Sequence, residues 1–133
     1  MVKTPIFDQE QLVLSSERLT WIADSTTDRD LIIGDDTVDI PFTFKRTKAV
    51  SFSPYPYTDH PEYEIILNFS KKHYNEHEHI YLVLRKLYDQ KEDWERIFGQ
   101  FITDLIFEPP NSYPNFVPIQ EINDAFIFEI QCD

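Results

Sequence analysis

"HIYLVLRKLYDQKEDWERIFGQFITDLIF", residues 79–107, is the stretch on which the fold turns. In its second half Trp94, Ile97, Phe98, Phe101, Ile102, Leu105 and Ile106 recur at steps of three and four, the period of an amphipathic helix. Asp89 with Glu92 three residues on resembles an N-cap and its reciprocal partner, and Pro109 and Pro110 cannot continue a helix. The pattern predicts a helix over about 93–106 with Trp94, Phe98, Phe101 and Leu105 on its buried side. The first half reads two ways. Ile80, Val83, Leu84 and Leu87 fit a helical stripe, yet the same apolar run fits a strand; we read residues 79–88 as a first helix.

Working outward, "EYEIILNF" alternates Tyr63, Ile65, Leu67 and Phe69 with polar or opposite-face positions, a strand pattern. "TVDIPFTF" does the same with Val38, Ile40, Phe42 and Phe44, and its Pro41 places it at an edge or a bulge. "EQLVLSSERLTWIA" reads as two extended runs, 11–15 and 18–23, forming a hairpin, and "DAFIFEIQC" as a closing strand with Phe126, Phe128 and Ile130 facing one way. Strands early, helices late and a strand last predict an α+β fold. One domain spans 1–133, with a mainly antiparallel sheet and one or two C-terminal-half helices packed on one face.

The chain can build a core despite its charge, because 11 Phe, 7 Tyr and 2 Trp bury large apolar areas. Only two glycines are present, Gly34 and Gly99, and no GxGxxG or Walker-type run exists to cradle a phosphate. The single cysteine, Cys132, permits no internal disulfide and no cysteine-based zinc site. No stretch approaches the length of an apolar membrane span. These features lead us to expect a cytoplasmic protein that needs no cofactor.

The net charge of −12 is unevenly spread: nine acids face three bases in residues 1–44, five face seven in 45–88, and ten face two in 89–133. A field of this sign repels nucleic-acid phosphates and anionic lipid and attracts basic proteins. Its densest part is "WIADSTTDRDLIIGDDTVDI", residues 21–40, with six Asp and one Arg. A calcium loop does not fit there. Counting from Asp28, the fifth, sixth and twelfth positions are Ile32, Ile33 and Asp39, where an oxygen ligand, a Gly and a bidentate Glu belong.

The three histidines of "HYNEHEHI", His73, His77 and His79, are the best-spaced metal candidates, but no third or fourth ligand follows at a suitable step, and we read the segment as a polar connection. No GxSxG elbow and no paired carboxylates flank a recognisable cleft, so no enzyme is expected. Recognition remains. The acids Asp24, Asp28, Asp30, Asp35, Asp36 and Asp39, with Tyr55 and Tyr57 in the proline-stiffened "SPYPYTDHP", are the candidate partner-binding residues: carboxylates steer a basic partner and tyrosines anchor it.

In size, acidity and aromatic content the chain resembles the immunity proteins that bacteria use against toxic nucleases. That resemblance implies a protein presenting carboxylates to the basic substrate groove of a nuclease. A phage-encoded inhibitor or DNA mimic acting on a host nucleic-acid enzyme would share these electrostatics, and a small enzyme or metal protein built on His73, His77 and His79 is the alternative of a different class.

Overall fold

Residues 79–85 are a strand, and the architecture follows from that. A computed structural model describes residues 16–35, 48–51, 62–108 and 112–132. In chain order they form α1 (Glu17–Ser25), β1 (Asp30–Gly34), β2 (Lys48–Ser51), α2 (Tyr63–His73) with a 3-10 turn at Tyr74–Glu76, β3 (His79–Arg85), α3 (Lys91–Phe107), β4 (Phe116–Ile122) and β5 (Ala125–Ile130). The strands make one sheet in the order β2-β1-β3-β5-β4.

The fold is α+β, as the sequence predicts, but the sheet is mixed rather than mainly antiparallel. β1 pairs in parallel with both β2 and β3, while β3–β5 and β4–β5 are antiparallel. Parallel strands need crossover connections, and α2 lies in the one that carries the chain from β2 past β1 to β3. β3 is the central strand, with both faces covered. Residues 80–84 are therefore apolar without alternation, and periodicity alone cannot separate such a run from a helix. β1 is buried along its whole length for the same reason, although it lies within the acidic stretch at 21–40 from which the candidate partner-binding acids are drawn.

Two other expectations are reversed by burial. The "EYEIILNF" run is helical: Ile66, Leu67 and Ser70 form the buried stripe of α2, and Ile65 is 62% exposed. Residues 18–23 belong to α1, where Leu19 and Ile22 sit one turn apart on the buried side and the Ser16 hydroxyl accepts from the Leu19 N–H at 3.2 Å as N-cap. The partner run at 11–15 and the alternating segment at 38–44 lie outside the described residues.

The closing strand is as expected: Phe126, Phe128 and Ile130 of β5 face the larger core. β4, unanticipated, is its hairpin partner. Pro118 and the register shift between Pro118 and Gln120 fit its place at the end of the sheet.

α3 packs on one face of the sheet, as anticipated; α2, which the sequence pattern predicts as a strand, shares that face, and α1 covers the other, so helices lie on both faces rather than one. On the first face Ile66 and Leu67 of α2 and Trp94, Phe98, Phe101 and Ile102 of α3 close over Leu31, Leu82, Phe128 and their neighbours. On the second, Leu19 and Ile22 meet Ile32, Tyr81, Val83, Ala125 and Ile127. The predicted helix over 93–106 is present, but its N-cap is Gln90, without a side-chain cap, rather than Asp89.

The helix also breaks in the middle. Gly99 adopts φ 85° and ψ −178° in a buried position, and the Thr103 hydroxyl donates to its carbonyl at 2.7 Å. A Cβ is disfavoured in that backbone region. Gly99→Ala is expected to cost about 1–3 kcal/mol, seen as a lower denaturation midpoint. An unchanged midpoint would mean that the helix runs straight through this residue.

Candidate interaction face

The α1 side of the sheet brings the exposed acids Glu17 and Asp24 beside the half-buried Trp21. Its floor is set by register. Tyr81 on β3 is paired with Ile32 and Glu129, and its ring is met edge-on by Trp21 of α1 at 5.2 Å and 89°. Burial pushes the Tyr81 hydroxyl up to about 12, with Asp30, Glu129 and Glu78 adding to the shift in that order. The second cause is a local negative potential, which opposes a phenolate and attracts a cation.

That shift has a pH signature. A group whose folded value lies above its ordinary 10.0 stabilises fully below pH 10 and loses its contribution as pH rises toward 12. The protein is expected to lose stability through this window in alkaline denaturation, and Tyr81→Phe to lose less. Superimposable curves for the two would contradict this placement of the hydroxyl.

Between α1 and β4 lies a groove of about 420 Å³ lined by Glu17, Thr20, Trp21, Asp24, Ser25, Gln120 and Ile122. Glu17, Trp21 and Asp24 fall at i, i+4 and i+7, so a helix places them along one side. One end of the groove is anchored. The Glu17 carboxylate accepts from the Asn123 backbone N–H at 2.8 Å and from its side-chain amide at 3.2 Å, and the Ser16 hydroxyl donates to Asp124 Oδ2 at 3.1 Å. The other end is open: Asp24 is exposed and joins no ion pair among the described residues.

Of the acids singled out by sequence, Asp24 and Asp28 are exposed near the C-terminal end of α1. Asp30 and Asp35, 3% and 4% exposed, are turned inward at the two ends of β1. Asp30 accepts from the Thr27 N–H at 2.9 Å and pairs with His79 Nδ1 at 3.0 Å, while Asp35 accepts from the Arg85 N–H at 3.0 Å and from its Nε at 2.8 Å. Their carboxylates are engaged internally and lie too far apart along the strand to act together. Asp36, Asp39, Tyr55 and Tyr57 lie outside the described residues.

The three histidines do not converge. His73 pairs with Glu76 at 2.9 Å, and that hydrogen bond holds the Glu76 carboxyl below its ordinary range. His79 pairs with Asp30 and stacks on Tyr81 at 5.7 Å, and His77 Nδ1 is buried without a hydrogen-bond partner among the described residues. Among the described residues no group of three or more His, Cys, Asp or Glu side chains is placed to hold a metal ion. No described helix is long and apolar enough to cross a membrane.

A second groove, of about 320 Å³, runs between the end of α3 and β5 over Leu105, Ile106, Phe126 and Phe128. Its rim acids are compensated: Glu108 meets Lys91 at 3.4 Å and Glu121 meets Lys86 at 2.7 Å. The α1 groove differs in that the exposed carboxylate beside its aromatic wall, Asp24, joins no ion pair among the described residues. Sequence reasoning missed Trp21 and Glu17 as its members, although the Ser16 cap and the i, i+4, i+7 spacing were available to find them. Comparison with family models, curated proteins and solved structures finds no match for the chain.

Proposed function

We propose that the protein is a small inhibitor-type binding protein that docks a basic protein partner on its α1 face, in the manner of the immunity proteins its composition resembles. The observation that carries this reading is the α1–β4 groove, with Trp21 and Ile122 as apolar walls and Glu17 and Asp24 along its rim. Aromatic walls supply buried area to a partner, while acids at the rim steer encounter and reject partners of like charge. Asp28 beside the groove, Glu129 on the neighbouring strand and the net charge of −12 extend the same field. A basic nuclease groove is the complementary surface, since carboxylates can stand where phosphates bind.

The experiment is an activity titration. The product of the adjacent gene, which this reading requires to be a basic nuclease, is mixed with increasing amounts of this protein and its cleavage of DNA or RNA followed. Loss of cleavage at one molar equivalent is the expected result. Full cleavage at tenfold excess, or a neighbouring gene product that is not a basic nuclease, would overturn the reading.

A further inference from the structure

We infer that the α1–β4 groove receives an arginine side chain of the basic partner, its guanidinium lying on the Trp21 indole with Asp24 as the facing carboxylate. The inference rests on the docking reading and assigns the residue type that the groove selects. Three observations converge on it. Trp21 lines the groove while its ring is steadied edge-on against Tyr81, so the indole is a fixed wall rather than a free rotor. Glu17 and Asp24 lie seven residues apart on the same side of α1, about 10 Å along the axis, with Trp21 between them. Of these two acids Glu17 is already committed to Asn123, whereas Asp24 joins no ion pair among the described residues.

The chemistry favours arginine over lysine. A guanidinium is planar, stacks on aromatic faces and sheds its hydration more readily than an ammonium, and Trp is the strongest aromatic partner for a cation. Its several N–H donors in one plane also need several acceptors. Asp24, Ser25 and Gln120 line the groove, and each carries a side-chain oxygen of acceptor type. An ammonium would use the same charge without the stacking. The negative potential around neighbouring Tyr81, from Glu129, Glu78 and Asp30, acts in the same direction.

The chain carries its own internal control. It has two tryptophans: Trp21 lines the groove, whereas Trp94 is buried on the opposite side of the sheet and donates its indole N–H to the Tyr88 carbonyl at 2.8 Å. The probes are a nine-residue arginine homopeptide and the lysine homopeptide of equal length and charge. Each is titrated into the ¹⁵N-labelled full chain while the two indole N–H resonances are followed by NMR.

The expected result is a saturable shift of the Trp21 resonance by the arginine peptide, with Trp94 unmoved and with the lysine peptide at least about fivefold weaker. Asp24→Asn, at an exposed position that leaves the fold intact, should weaken the arginine peptide severalfold. Equal responses to both peptides, or a Trp21 resonance that moves no more than Trp94, would overturn the assignment. The two readings fail separately. A nuclease fully inhibited by wild type, Trp21→Ala and Asp24→Asn alike would leave the inhibitor function standing and remove the arginine site. Selective arginine-peptide binding without nuclease inhibition would do the reverse.

Discussion

Trp94→Ala is expected to destabilise the protein by about 3–5 kcal/mol, a large share of the roughly 5–15 kcal/mol typical of a whole domain. The ring is 1% exposed and sits where α3 meets the sheet, 5.2 Å from Phe98, 5.7 Å from Tyr88 and 6.3 Å from Phe126 between centroids. Truncation removes its apolar burial, leaves a cavity that three aromatic rings can only partly close, and orphans the Tyr88 carbonyl that its indole N–H satisfies. Phe101→Ala, on the same side of the helix, should act in the same direction. Glu95→Ala, on the exposed side, should change stability by no more than about 0.5 kcal/mol. Comparable losses from Trp94→Ala and Glu95→Ala in urea denaturation would mean that the buried face of α3 is wrongly assigned.

Asp35→Ala is the second large effect, expected at about 2–3 kcal/mol. Asp35 ends β1 with its carboxylate buried and spanning the backbone N–H and the Nε of Arg85, across 50 residues of chain. Its removal leaves the guanidinium and a strand-end N–H without that acceptor. The roughly 3–5 kcal/mol typical of breaking a fully buried pair is reduced here because the Arg85 side chain is 34% exposed and water can reach it. Asp28→Ala, fully on the surface, is the comparison. If Asp35→Ala proves as mild as Asp28→Ala in the same denaturation series, the carboxylate is not the internal tie described.

These two residues mark the boundary of what the sequence could disclose. α3 and β5 were legible because each is half-buried and writes its own period into the chain: three and four residues in one, two in the other. β1 and β3 are covered on both faces, so their apolar runs carry no period, and the run of β3 fits a helical stripe as well as a strand. α2 misled in the opposite way. Tyr63, Ile65, Leu67 and Phe69 alternate by coincidence, while the helical stripe through Ile66, Leu67 and Ser70 includes a serine that hides in the core by donating to the Ile66 carbonyl.

The candidate site divides along the same line. Asp24 and Asp28 are legible as surface acids because both are exposed and no distant side chain among the described residues engages them. The inward turn of Asp30 and Asp35 depends on His79 and Arg85, 49 and 50 residues away, and local sequence cannot report partners that only topology supplies. The sequence pattern does not single out Trp21, because an extended reading of residues 18–23 puts Glu17, Trp21 and Asp24 on no common helical side.

The central claim is that the acids beside the α1 groove dock a basic partner, and the association rate with the nuclease as a function of salt tests it most directly. Asp24 and Asp28 are the residues to change, since Asp30 and Asp35 hold the fold. Attraction of this kind is screened over a Debye length of about 8 Å at physiological ionic strength. Wild type should therefore associate fast at low salt and slow steeply as salt rises. The Asp24→Asn, Asp28→Asn double variant, with its melting temperature unchanged, should associate several-fold more slowly at low salt and show a flatter salt dependence. A double variant that associates as fast as wild type at both low and high salt would contradict the claim.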